Sequence, residues 1–184
     1  NMKQQIIDLT CELIRIDTNP INLTGLDSAL SIIQRELSAF SCEVYEKDWT
    51  KSILVHNQKE LPSKFTLLFN CHLDIIPAKI SQFSPKIRED KIIWAWAMDM
   101  KWNLAAALLA FKNTALQKTI PIWMQFVTDE ETWWFHGTKY QIDSWIQADF
   151  VIATEPTDFW IVYQAKWVYQ FELHARGHTA HSAY

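Results

Sequence analysis

Alternating strand-like and helical segments mark this 184-residue chain as an α/β protein, a three-layer αβα domain with a mostly parallel sheet. Three features lead there. Short apolar runs recur along the chain, amphipathic or Ala/Leu-rich stretches separate them, and acidic residues or a histidine follow one run after another at its carboxyl end.

Two helices open the chain. Ile6, Ile7, Leu9, Leu13 and Ile14 keep helical spacing, and a second pattern runs over about 27–40 through Leu30, Ile32, Ile33 and Leu37. Apolar runs at 52–56, 65–69, 92–96, 120–127 and 150–153, each bounded by polar or Pro-containing turns, predict strands. Helical patterns at 100–116 and about 138–146 lie between them. From Val168 the pattern becomes strict alternation, Tyr169, Phe171, Leu173 and Ala175 against Gln170, Glu172, His174 and Arg176. The expected division is therefore a catalytic domain over 1–166 and, over 167–184, the first strand of an inserted α+β lid or dimerisation domain. The chain starts Asn1-Met2 and stops at Tyr184 directly after that strand-like segment, so it reads as a fragment of a longer protein.

Composition narrows the function. With 49% apolar residues the chain can bury one substantial core. A net charge of -4 and the lack of a long basic run argue against nucleic acid as a partner. The longest apolar stretches, such as 104–111, fall well short of the roughly 20 residues that cross a bilayer, and no charged-then-apolar leader opens the chain. No membrane association and a cytoplasmic location are expected. Cys11, Cys42 and Cys71 are widely spaced and unpaired by motif, which predicts free thiols and no thiolate metal site.

The chemistry is written at the strand ends. His72 and Asp74 follow the run at 65–69, Asp129, Glu130 and Glu131 follow 120–127, Glu155 follows 150–153, and Asp99 lies between the run at 92–96 and the next helix. In a parallel sheet these carboxyl ends share one edge, where ligands bind. Alone, a His-x-Asp pair is a structural hydrogen bond, Asp-Glu-Glu a solvated helix start, Glu-Pro a turn and Asp99 a helix N-terminal acid. Converging, one imidazole and several carboxylates repel one another unless protonated or neutralised by cations. Nitrogen and oxygen donors without thiolate suit zinc, cobalt or manganese, and paired divalent ions suit amide hydrolysis.

Five segments, 70–77, 97–101, 129–131, 153–157 and 177–182, resemble in order and spacing the motifs of the zinc hydrolases that include acetylornithine deacetylase, succinyl-diaminopimelate desuccinylase, aminoacylase and glutamate-releasing carboxypeptidases. The resemblance implies two zinc ions: His72 and Glu155 on one, Glu131 on the other, Asp99 bridging both, and Asp74 orienting His72. It implies that Glu130 is the general base and that His181, from the inserted domain, stabilises the oxyanion, often across a homodimer interface. The implied substrate is a small N-acyl amino acid or peptide. A last zinc-binding histidine and the substrate-carboxylate residues lie further along in relatives, beyond Tyr184. His56, His136, His174 and His178 match no ligand position. The competing reading is a catalytically inactive homologue kept as a binding or dimerisation module.

Ten tryptophans against three glycines is an inverted composition, since glycine usage of about 7% predicts about 13. The resembling family carries glycine where this chain has Trp94, Trp96, Trp102, Trp133 and Trp167, and at Trp145 and Trp160. Indoles there should obstruct the loops around the metals. Two accounts follow: UGA codons that mean glycine have been read as tryptophan, or the protein is Trp-rich or decayed.

Overall fold

A computed structural model describes residues 1–89, 91–93, 97–116, 120–158, 160–164 and 174. Helix α1 (Met2–Ile14) starts at Asn1, whose side chain accepts the Lys3 N–H, and buries Leu9, Leu13 and Ile14. Helix α2 (Leu23–Glu36) starts four residues before the apolar pattern does, because the Asn22 side chain accepts the Gly25 N–H and caps it there. Helix α3 (Trp102–Ala115) buries Leu104, Ala105, Leu108, Leu109 and Phe111, as an Ala/Leu-rich helix must when it lies inside rather than on the surface.

The sheet contains β1 (Ser41–Lys47), β2 (Thr50–His56), β3 (Phe65–His72), β6 (Ile122–Val127) and β7 (Ala148–Ala153), in the spatial order β1-β2-β6-β3-β7. β2 is antiparallel to both β1 and β6, whereas β3 is parallel to both β6 and β7. Four of the five strands therefore point the same way and β2 alone is reversed, so the sheet is mainly parallel, as expected. All six residues of β6 are buried, the mark of a central strand covered on both faces.

Helices α1, α2 and α3 cover one face over a core that joins Leu13, Leu30, Ile33, Ile53, Val55, Leu104, Leu108, Phe111, Met124 and Phe126. Each such buried side chain contributes about 1.5–3 kcal/mol of transfer free energy. The other face carries Leu54, Phe65, Leu68, Trp123 and Ile146 and the short helix α4 (Thr138–Asp143). α4 is tied down by a polar chain: Gln141 donates to Ser52, Gln125 donates to Gln141, and Asn70 donates to Gln125 and to Thr138. Among the described residues no helix is long and apolar enough to cross a membrane.

One expected sheet strand lies elsewhere. Of the run at 92–96, residues 91–93 form β5 (Lys91–Ile93), which pairs antiparallel with β4 (Lys86–Arg88) in a separate two-stranded ribbon; 94–96 are outside the described residues. Asp99 therefore does not sit at the carboxyl end of a strand of the main sheet. It is delivered by the irregular turn Ala97–Lys101, which leads into α3 and contains a cis peptide between Asp99 and Met100. The alternating segment from Val168 and the domain boundary near Lys166 also lie outside the described residues.

That turn is anchored by Lys101, whose ammonium is buried and donates to the Leu13 and Ile16 carbonyls at 2.9 and 3.1 Å, closing the end of α1. Burial pushes this amine down to about 7. Lys101→Met keeps the volume and removes the donor from two carbonyls; we expect a loss of about 1–3 kcal/mol, the cost of an unsatisfied buried polar group. The urea midpoint of the full-length protein would measure it.

Candidate metal centre

The three parallel strands fix where the ligand-type residues meet. β3 pairs with β6 so that His72 stands opposite Val127, and with β7 so that Asn70 stands opposite Ala153. Adjacent strands lie about 4.8 Å apart, so residues just past three in-register ends are neighbours. His72, the last residue of β3, thus faces the loop Asp129–Glu131 on one side and Glu155 on the other.

The distances bear this out. His72 Nε2 is 3.2 Å from Asp99 Oδ1, 3.6 Å from Glu155 Oε1 and 4.0 Å from Glu130 Oε2. His72, Asp99 and Glu155 each offer a ligand atom within 4.8 Å of the others, and so do His72, Glu130 and Glu131. The imidazole is buried, whereas the Asp99, Glu130 and Glu155 side chains are 46, 42 and 38% exposed, so the cluster has a protein floor and an open mouth.

Asp74 is fully buried beneath this cluster. Its carboxylate accepts the Glu130 N–H at 3.2 Å and the Glu131 N–H at 2.8 Å, and lies 3.7 Å from His72 Nδ1. The nearer partner of Nδ1 is the Asp74 main-chain oxygen, at 3.0 Å. One residue therefore holds the histidine ring from below and both glutamate backbones from the side.

Electrostatics couple the members of the cluster. Burial opposes a charged His72, but hydrogen bonds to Asp74, Asp99 and Glu155 outweigh it and hold the imidazole up at about 12. The bond from His72 lowers Asp99. Burial, foremost, raises Glu130 and Glu131, with His72 pulling the other way. The surrounding carboxylates favour positive charge at the Nε2 position, which a divalent cation held by the same donors would also supply. One imidazole nitrogen among carboxylate oxygens fits zinc, and equally cobalt or manganese. Cys71, buried beside the site with Sγ 3.2 Å from Thr154 Oγ1, has its thiol pushed up to about 12 by burial, so thiolate ligation is disfavoured there.

Asp129, to which no role falls in the sequence reading, acts from behind. Its Oδ2 accepts the His136 and Gly137 N–H groups at 2.8 and 3.0 Å, closing the loop that presents Glu130 and Glu131. A signal was present in the first letter of Asp-Glu-Glu, but a carboxylate that binds backbone cannot be told from one that binds metal by type alone. A Cβ on Gly137 would collide with Asp129 Oδ1 and approach Val127 Cβ to 2.8 Å. Gly137→Ala is accordingly expected to destabilise the protein by about 1–3 kcal/mol, the range for overpacking, and to weaken metal binding by displacing the glutamate loop; calorimetry of melting and of metal titration would register both.

His56 is buried and packs on Phe65 at 5.8 Å, and His136 lies 3.5 Å from Asp48, so neither joins the cluster. His181 and His178 are outside the described residues.

Fold and cluster together define an α/β domain with a candidate metal site at the carboxyl edge of a parallel strand trio. The sequence profile described as "Peptidase family M20/M25/M40" matches residues 68–181, more than half of the chain, and the chain belongs to that family. It is 30% identical over 139 residues to succinyl-diaminopimelate desuccinylase of Nautilia profundicola, covering 71% of this chain and 37% of that protein. Among solved structures it resembles the M20 family metallo-carboxypeptidase Sso-CP2 from Sulfolobus solfataricus, with a TM-score of 0.66, 18% identity, and 82% of this chain and 37% of that one covered. Human carnosine dipeptidase 1 gives a TM-score of 0.66 at 14% identity, with 82% and 38% covered. The chain thus spans less than half the length of the curated relatives it matches.

Proposed function

We propose that the full-length protein is a two-zinc hydrolase that cleaves the amide bond of an N-acyl amino acid or a small peptide. The observation that carries this reading is the meeting of His72, Asp99 and Glu155 within 4.8 Å of one another, with Glu130 Oε2 4.0 Å from His72 Nε2, in a chain of this family. His72 and Glu155 would hold one ion, Glu131 the second, and Asp99 both. Zinc, when bound, polarises the scissile carbonyl and makes water a better nucleophile.

The remaining steps belong to side chains. Glu130 takes a proton from the attacking water as the new C–O bond forms, then delivers it to the amine nitrogen as the C–N bond breaks. Asp74 keeps Glu130 in place through its backbone N–H and keeps the His72 ring in register. His181, assigned by resemblance, would stabilise the oxyanion within a homodimer, and the enzyme would act in the cytoplasm. Desuccinylase and carboxypeptidase names among the relatives support both substrate types equally.

The test is metal content and turnover of the full-length protein. We expect about two zinc ions per chain, loss of activity on chelation with recovery on adding zinc, and hydrolysis of at least one member of a panel of N-succinyl amino acids, N-acetyl amino acids and dipeptides. Zinc-loaded protein that cleaves none of them would overturn the reading in favour of a binding module.

A further inference from the structure

We infer that glycine, not tryptophan, occupies the positions written here as Trp in the protein as it is synthesised, because UGA, read as tryptophan in this sequence, is a glycine codon in the organism that makes it. The backbone carries the inference. Trp49, Trp133, Trp134 and Trp145 have φ of 69, 89, 51 and 67°, in the left-handed region. Only a few per cent of non-glycine residues enter it, and a bulky side chain there is an outlier. Four of the seven described tryptophans do so, whereas neither described glycine, Gly25 or Gly137, does.

Each of these positions belongs to a local motif that asks for glycine. Asp48 and Trp49 form the two-residue connection between β1 and β2, both with positive φ. That is the type I′ hairpin turn, whose strongest sequence signature is Asp-Gly. Trp145 follows Ser144, the cap of α4, and its N–H donates to the Ile142 carbonyl at 3.0 Å; the residue one past a helix cap, in left-handed conformation, is usually glycine. Trp133 ends the short 3-10 turn Glu130–Thr132, and Trp134 continues the same left-handed path, each donating its N–H back into the turn.

At the turns the indoles do little where they stand. Trp49 and Trp145 are 78 and 81% exposed, and Trp133 and Trp134 about half exposed. Trp123 packs in the core beside Phe65, yet its indole N–H has no hydrogen-bond partner, a cost that tryptophan in a core ordinarily avoids. Three unrelated turns converting correctly under one exchange, together with ten tryptophans against three glycines, point to a single cause at the level of the codon rather than ten separate substitutions.

Peptide sequencing by mass spectrometry, on the protein isolated from its own cells, decides the matter without reference to activity. Trypsin releases residues 119–139, which include Trp123, Trp133 and Trp134, and residues 140–166, which include Trp145 and Trp160. We expect glycine at all five, each peptide lighter by the corresponding side chains. Tryptophan at 133, 134 or 145 overturns the inference. A second measurement compares full-length protein made from two synthetic genes: the version with glycine at the ten positions is expected to melt at the higher temperature, and an equal or lower midpoint would count against the inference.

Discussion

Replacing Glu130 by glutamine in the full-length protein is expected to lower kcat by roughly 10²–10⁴-fold, the usual contribution of a positioned general base, while metal content stays near that of the parent. The amide has nearly the same size as the carboxylate and cannot accept the proton. Glu130 is the member of the cluster whose retention is least needed to hold an ion, since His72, Asp99 and Glu155 already meet within 4.8 Å. Its backbone N–H remains available to Asp74 in the variant. Near-normal kcat, or loss of metal as complete as that of Asp99→Ala, would reassign Glu130 from base to ligand.

The second large effect is expected from Asp74→Asn. Both Asp74 oxygens are acceptors, one for each glutamate N–H. Asparagine offers one oxygen and one NH₂, so a donor must face a donor inside a fully buried site. The unpaired group costs about 1–3 kcal/mol, and either the His72 ring or the Glu130–Glu131 backbone has to move. Partners that orient a metal ligand are worth about 10–100-fold in metal affinity, and a zinc titration of the variant should weaken by that factor. Unchanged affinity would mean that the His72 ring is held by the Asp74 main chain alone.

What could be read from residues alone follows a physical pattern. His72, Asp74, Glu130, Glu131 and Glu155 were legible because each follows a sharp apolar run, and because parallel neighbours must release their carboxyl ends at the same edge. Strand β1 was not, since its residues are mostly exposed at the sheet margin and leave no apolar face to detect. The reversal of β2 follows from the two-residue connection Asp48-Trp49, whose usual Asp-Gly signature is not written in this sequence. The same limit sent Ile92 and Ile93 to the main sheet when they belong to the β4–β5 ribbon. α2 could have been started correctly from Asn22, a capping residue three places before Gly25, had the cap been weighed above the apolar period.

The strand order β6-β3-β7 also sets a schedule. Of the three residues that meet, His72 is made first and Glu155 last, with β3 between β6 on one flank and β7 on the other. A growing chain therefore exposes the histidine and Asp99 long before their third companion arrives. The cluster of His72, Asp99 and Glu155 can therefore close only once β7 has docked beside β3.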